Sequence, residues 1–342
     1  MPSRRQFLSA ATAAAAAPLS GPIDCQSHLF SPEFLALLEK RTSSPYVYRK
    51  DGERWVVTGN WHRRILPKHT DVAAKLADMD AAGIAMAALS INDPGPELFG
   101  KDSPAMARML NDFVAGVVRA HPARFFGLAT LPYDSTDRML EEFERATGKL
   151  GMKGILLYSN LGGRFPDEPG IRPLFGEAER RGVPILLHPA NPVTYDAVSA
   201  YEMTAMLGLM FDTTIALARL ILSGVLEQHP NLKLVCPHVG GALPYLIGRM
   251  DHQTMVLKRG AQNIRRAPSE YLKRVWLDTV SPISLAIRYG YDFVGEDRML
   301  YSSDHPWVEP QLILAEVRKL RLPAAAEAKL LSGNARRLFQ LA

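Results

Sequence analysis

Apolar residues along this chain fall into short continuous runs, separated by stretches that follow the helical period. The runs are IAMAALSIN (84–92), RFFGLATLP (124–132), KGILLYSN (153–160), VPILLHP (183–189), LKLVCPH (232–238), RVWLDTV (274–280) and RMLYSSDHP (298–306), and PIDCQSHLF near the N-terminus makes eight. Near-continuous apolar runs predict strands buried on both faces, as in a parallel sheet. Between them, DVAAKLADMDAAG (71–83) has an Asp to cap a helix and a Gly to end one. Segments 106–122, 139–151, 171–182 and 213–230 also read as helices. Eight strands alternating with helices predict a (β/α)8 TIM barrel, one domain over residues 21–342. Residues 41–66 interrupt the repeat and predict a small β-hairpin after the first strand, turned at Asp51-Gly52. The tail LPAAAEAKLLSGNARRLFQL predicts an extra C-terminal helix pair on the outside.

Composition adds constraints. The chain is 47% hydrophobic and 22% charged, as in soluble globular proteins. Its net charge of +5 includes Arg4 and Arg5, and the other basic residues lie scattered among acids. No basic stripe is available to grip phosphates, which argues against a nucleic-acid partner. Residues 1–20 read differently. SRRQFLSAATAAAAAPLSG has a charged start, an uncharged Ala-rich run and a small-residue end, the construction of an export signal. Ser3-Arg4-Arg5-Gln6-Phe7-Leu8 resembles the twin-arginine signal, with removal expected near Ala15–Ala17. That predicts a periplasmic or secreted protein, or a cytoplasmic one with an Ala-rich extension if the signal is unused. The apolar run is too short and alanine-rich to span a bilayer stably, so no stable membrane insertion is expected. Cys25 and Cys236 fall on opposite faces of the strand register, and no disulfide is expected between them.

In a (β/α)8 barrel the chemistry sits at the C-terminal ends of the strands. The first strand ends in Gln26-x-His28, whose side chains share a face. The fifth ends in His188, the sixth in His238 and the eighth in Asp304. Neutral imidazoles with a carboxylate form the donor set preferred by zinc and related divalent ions. Each residue also has a plainer use: a strand-end His can satisfy a loop, and Asp304 can cap a helix or close an Asx turn. His305 has the opposite parity and reads as loop or as support. The four strand ends taken together point to a metal site.

These segments resemble the amidohydrolase superfamily, in the branch that includes aminocarboxymuconate-semialdehyde decarboxylase and γ-resorcylate decarboxylase. The resemblance runs from about Ile23 to the C-terminus. It is carried by IDCQSHLF, LADMDAAGI, ARMLNDFVAGVVRAHPARFFGLATLP, GMKGILLYSNLGG, PILLHP, SGVLEQHPNLKLVCPHVGGALPYLIGRMDH, GEDRMLYSSDHPW and LLSGNARRLF. It implies His28, His188 and Asp304 as metal ligands, and His238 with Asp304 as the proton-transfer pair. Arg63 and Arg249 match arginines that grip substrate carboxylates, Arg249 lying eleven residues beyond His238. In the family that second arginine reaches a neighbouring subunit's site, which implies a homodimer.

The departure is Gln26, which stands where the family motif Asp-x-His-x-His has its first metal-binding histidine. A carboxamide oxygen can coordinate a metal, but more weakly than imidazole, and some decarboxylases of this branch carry another oxygen ligand there. The expected cofactor is a divalent ion, zinc first and manganese as the harder alternative that an oxygen ligand favours. The expected function is metal-dependent, non-oxidative decarboxylation of an aromatic or unsaturated carboxylic acid. The alternatives are a metal-dependent hydrolase of a lactone, ester or amide, and a non-catalytic exported binding protein.

Overall fold

A computed structural model describes residues 21–342, so the expected export signal lies outside the described residues. Strand β1 (Ile23–Leu29) is followed by β2 (Tyr46–Lys50), β3 (Glu53–Thr58) and β4 (Trp61–Ile65). Then come β5 (Met86–Ile91), β6 (Phe125–Ala129), β7 (Gly154–Tyr158), β8 (Ile185–His188), β9 (Leu234–Cys236), β10 (Trp276–Asp278) and β11 (Met299–Leu300). Among the described residues β1 and β5 to β11 pair side by side in chain order as one eight-stranded parallel sheet. The ends of that sheet meet. The Cys25 N–H donates to Tyr301 O (3.0 Å), the Asp304 N–H to Gln26 O (3.0 Å) and the His28 N–H to His305 O (2.8 Å). The sheet is thereby a TIM barrel, as the apolar runs predicted.

Helices cover the outside, as the apolar faces of both element types require. The helix Val72–Ala82 begins at Asp71, whose carboxylate accepts the Ala73 N–H (2.8 Å), and ends at Gly83 in the left-handed region (φ 71°). This is the start and stop read from the sequence. The hairpin expected in residues 41–66 is present, β2 and β3 turning at Asp51-Gly52, and a second turn at Gly59-Asn60 adds β4 along β3. One expectation needs adjustment. Segment 213–230 is two helices, Leu209–Leu222 and Val225–Gln228, parted at Gly224 (φ 83°). The tail folds as expected into short helical segments at Ala324–Ala328 and Asn334–Phe339, joined by a π-type turn. Cys25 and Cys236 are both buried and both free.

Where β9 ends, the chain is strained. His238 and Val239 both have φ of 56°, and Gly241 follows at φ 63°, ψ −136°. A β-branched residue rarely adopts that conformation, and the Gly241 angles belong almost to glycine alone. A Cβ built on Gly241 would lie 2.6 Å from Thr214 Oγ1 and 2.8 Å from Met210 O. Gly241→Ala is therefore expected to cost about 2 kcal/mol or more. A lowered denaturation midpoint, with loss of function beyond what instability explains, is the expected result; an unchanged midpoint would contradict this account of the loop.

Candidate active site

The C-terminal rim of the barrel gathers the strand-end residues. His28 is fully buried on β1; its Nδ1 lies 3.2 Å from Ile91 O and 2.8 Å from Ser90 Oγ. His188 Nδ1 lies 2.8 Å from Pro189 O. A carbonyl can only accept, so Nδ1 of His188 carries the proton, and Ile91 O favours the same tautomer in His28. Both Nε2 lone pairs then point inward. They face each other at 3.0 Å, and Asp304 Oδ1 stands 3.0 Å from His28 Nε2 and 3.9 Å from His188 Nε2.

Three electron-rich atoms converging this closely repel one another unless a cation stands among them. Burial and then the neighbouring His188 push His28 down to about 4, so a proton on that ring does not supply the charge near neutrality. Gln26 adds a fourth electron-rich atom, an oxygen. Its Nε2 donates to Asp304 Oδ1 (2.9 Å), while its Oε1 is buried without a partner. An orphaned buried oxygen beside two imidazoles and a carboxylate fits a divalent metal ion, and His28, His188 and Asp304 form the group with suitable spacing.

Asp304 is reached by an unusual backbone. Its φ is 66°, outside the strand that ends at Leu300. Burial acts to raise its pKa, but the surrounding imidazoles of His188, His238 and His28 outweigh burial and hold it well below the usual carboxylate range. His238 stands across from it, Nε2 3.7 Å from Asp304 Oδ2. Burial disfavours the imidazolium there, but Asp304 and Asp278 together raise the His238 pKa above its ordinary value. A proton held on His238 toward Asp304 is what such a site needs for general acid catalysis.

The two arginines behave differently. Arg63 on β4 is half-buried, and one guanidinium nitrogen donates to Asp93 Oδ2 (2.5 Å) and Thr58 Oγ1 (2.9 Å). Its Nε is buried without a partner, so part of the fork remains free. Arg249 is exposed on the helix Leu243–Asp251, and the fold of one chain does not bring it to the rim group.

The model of the amidohydrolase family matches residues 23–341. The chain belongs to that family. It is 27% identical over 325 residues to 2-amino-3-carboxymuconate-6-semialdehyde decarboxylase of Dictyostelium discoideum, covering 92% of this chain and 90% of the relative. It is 30% identical over 310 residues to γ-resorcylate decarboxylase of Rhizobium sp. (strain MTP-10005), covering 83% and 92%. The dihydroxybenzoic acid decarboxylase of Polaromonas sp. JS666, solved with manganese and the inhibitor 2-nitroresorcinol, superposes with a TM-score of 0.78 at 26% identity. That superposition covers 94% of this chain and 97% of the other.

Two residues around this amidohydrolase site, Asp278 and Lys75, escaped the sequence reading. Asp278 ends β10 and accepts the His238 N–H (2.7 Å) with Oδ1, while its Oδ2 and His238 Nδ1 are both buried and unpartnered. An acid inside RVWLDTV was the available signal, the same one that exposed Asp304. His305 proves to be support: Lys75 Nζ donates to its Nδ1 (2.7 Å) and its Nε2 donates to Asp78 Oδ2 (2.8 Å). With both ring nitrogens engaged and an ammonium beside it, the grouping of Asp78, His305 and Glu309 is not a cation site. Lys75 is 1% exposed, which its position in an amphipathic helix does not announce.

Removing the Asp278 charge while keeping its shape isolates one cause of the His238 shift. Because the anion favours imidazolium, Asp278→Asn is expected to lower the His238 pKa, measured from the ring C–H resonance across pH. A melting temperature within a few degrees of the parent would show that the fold survives, and an unmoved His238 titration would remove Asp278 from the site's electrostatics.

Proposed function

We propose that this amidohydrolase-family protein is a metal-dependent, non-oxidative decarboxylase of a small aromatic carboxylic acid. The observation that carries the reading is the convergence of His28, His188 and Asp304 on one point, with His238 opposite. His28, His188 and Asp304 would hold the ion, with the Gln26 oxygen as an additional donor. When bound, a divalent ion there orients an oxygen of the substrate and stabilises negative charge. The protein's own residues handle the proton. The bond between ring carbon and carboxyl carbon breaks, its electron pair stays on the ring carbon, and a proton from His238 replaces the departing CO2. Asp304, kept ionised, stabilises His238 in the charged form before transfer. The amidohydrolase relatives named as decarboxylases support carboxy-lyase chemistry over hydrolysis. For the ion, zinc was the first expectation. The oxygen of Gln26 and the manganese bound by the Polaromonas relative both favour manganese.

We also propose a homodimer in which Arg249 completes the partner's site. In support, Arg249 is exposed, and so are Tyr245 and Val256 on the same helical stretch and Met206, Phe211 and Leu285 on others. The segment Thr204–Leu222 is apolar and long enough to cross a membrane, but its residues Thr213, Leu217, Leu220 and Ile221 pack into the protein. Exposed apolar side chains of this kind are what a second subunit would cover.

The reading is tested by elemental analysis and gas release together. Protein purified without chelators is expected to hold about one Mn or Zn per chain and to release CO2 from hydroxybenzoates without consuming water. His188→Ala is expected to lose the metal and at least 1,000-fold, roughly, in kcat/KM. Metal-dependent cleavage of a lactone or ester without CO2 would overturn the decarboxylase reading. For the dimer, sedimentation is expected to give twice the chain mass. Arg249→Ala should keep that mass and raise KM about tenfold, as expected on losing a charged contact to the substrate; a monomeric parent would refute the arrangement.

A further inference from the structure

Beside the metal-ligand group lies a cavity of about 310 Å3, within the size range of small-molecule pockets. Its walls include Thr58 of β3, Asp93 and Glu97 from the loop after β5, Asn160 from the loop after β7, and Asn191 from the loop after β8. All of them except Thr58 come from the chemical rim of the barrel. Asn191 lies three residues beyond His188. Tyr158 links the two places: its ring stands 6.1 Å from that of His188, and a Cβ built on Gly95 would collide at once with Tyr158 and with Glu97 Oε2. The Glu97 carboxyl therefore lies close to the ring that flanks a metal-ligand candidate.

The polar atoms of this cavity are unevenly satisfied. Asp93 is 4% exposed; its Oδ2 is taken by Arg63 and Thr58, but its Oδ1 is buried with no partner. Glu97 Oε1 accepts the Gly95 N–H at 3.2 Å, while Oε2 is buried with none. Asn191 Oδ1 is a third oxygen in the same condition. The Asn160 side chain, by contrast, is fully engaged, donating to Asn191 O and Asp212 Oδ2 and accepting from Gly163. Three buried oxygens without donors in one cavity are a cost that a fold carries when a ligand supplies the donors.

We propose that Glu97 and Asp93 form a subsite that reads a hydrogen-bond donor on the substrate, a hydroxyl or amino group on the ring away from the carboxylate being removed. This rests on the decarboxylase reading and narrows its substrate class to acids carrying such a group. Burial, and then the charge of Asp93, push Glu97 up to about 8, so the ionised carboxyl that accepts at Oε2 gains population as pH rises toward that value, and a donor bound there favours it further. The phenols of Tyr133 and Tyr158 and the guanidinium of Arg63 are the other titratable groups around it. None of these donates to Oε2. A methyl or methoxy group at the same ring position would leave the oxygens unpaired, which is how a polar site rejects a close analogue.

The test uses matched 2-hydroxybenzoates bearing hydroxyl or amino against methoxy or methyl at ring positions 3 to 5. Each is assayed with the Mn2+-loaded protein for Kd, by ligand-induced thermal shift, and separately for CO2 release. The parent is expected to bind the best donor-bearing acid about tenfold or more tightly than its methoxy counterpart. Glu97→Leu is expected to erase that preference while keeping affinity for the methoxy acid, and Asp93→Asn to weaken it. If Glu97→Leu does not fold, Glu97→Met decides, with the same lost preference for donor-bearing acids expected. No preference in the parent, no binding by any acid, or the same preference after substitution at Glu97 would overturn the subsite. Donor preference in Kd without CO2 release would uphold the subsite and sink the decarboxylase reading; CO2 release without preference would do the reverse.

Discussion

The site depends on the seam where the last strand of the barrel meets the first. Backbone hydrogen bonds from Cys25, His28 and Asp304 join β1 to the chain after β11, and Asp24 fastens the same seam from below. Its carboxylate accepts the Ser303 N–H (3.0 Å) and the Ser303 hydroxyl, and burial raises its pKa to about 6. Ser303 Oγ in turn accepts the His305 N–H (3.1 Å). This seam sets Asp304, some 276 residues along the chain from His28, within 3.0 Å of it. Without closure the sheet would be an open one, and the carboxylate and the first imidazole would sit at opposite edges.

What the seam assembles is electrostatically unfavourable taken alone. Two imidazole lone pairs and a carboxylate oxygen meet in a buried place, with a carboxamide oxygen orphaned beside them. Proteins keep such arrangements where function requires them. The left-handed backbones of His238, Val239 and Asp304 belong to the same pattern, since they aim side chains that regular strands would direct elsewhere. Strain and repulsion are concentrated at the rim, while the strands below it are uniformly apolar and buried.

Charge pairing then decides what the rim can bind. Arg63 is tied to Asp93, so a cation that would otherwise attract any anion is largely neutralised inside the chain. Its free Nε still offers one directed donor, and the unpaired oxygens of Asp93 and Glu97 offer directed acceptors. Selectivity here comes from individual placed atoms rather than from net charge, in line with the chain's modest overall charge.

The barrel and five of its rim residues were legible in the sequence because each rests on a local signal. Apolar runs mark buried strands, and a polar residue at the end of such a run stands out against it, as with His188, His238 and Asp304. Gln26 and His28 were legible through the two-residue period of a strand. The second turn of the small sheet at Gly59, the burial of Lys75 against His305, and the pairing of Arg63 with Asp93 were not. Each joins residues that are unremarkable in their own neighbourhoods, and closure of the barrel with its loops is what brings them together. The sequence by itself determined which residues could act as donors, acceptors and ligands. Only the tertiary structure decided which of them are left unsatisfied, because satisfaction depends on neighbours distant along the chain, and unsatisfied groups are the ones free to bind.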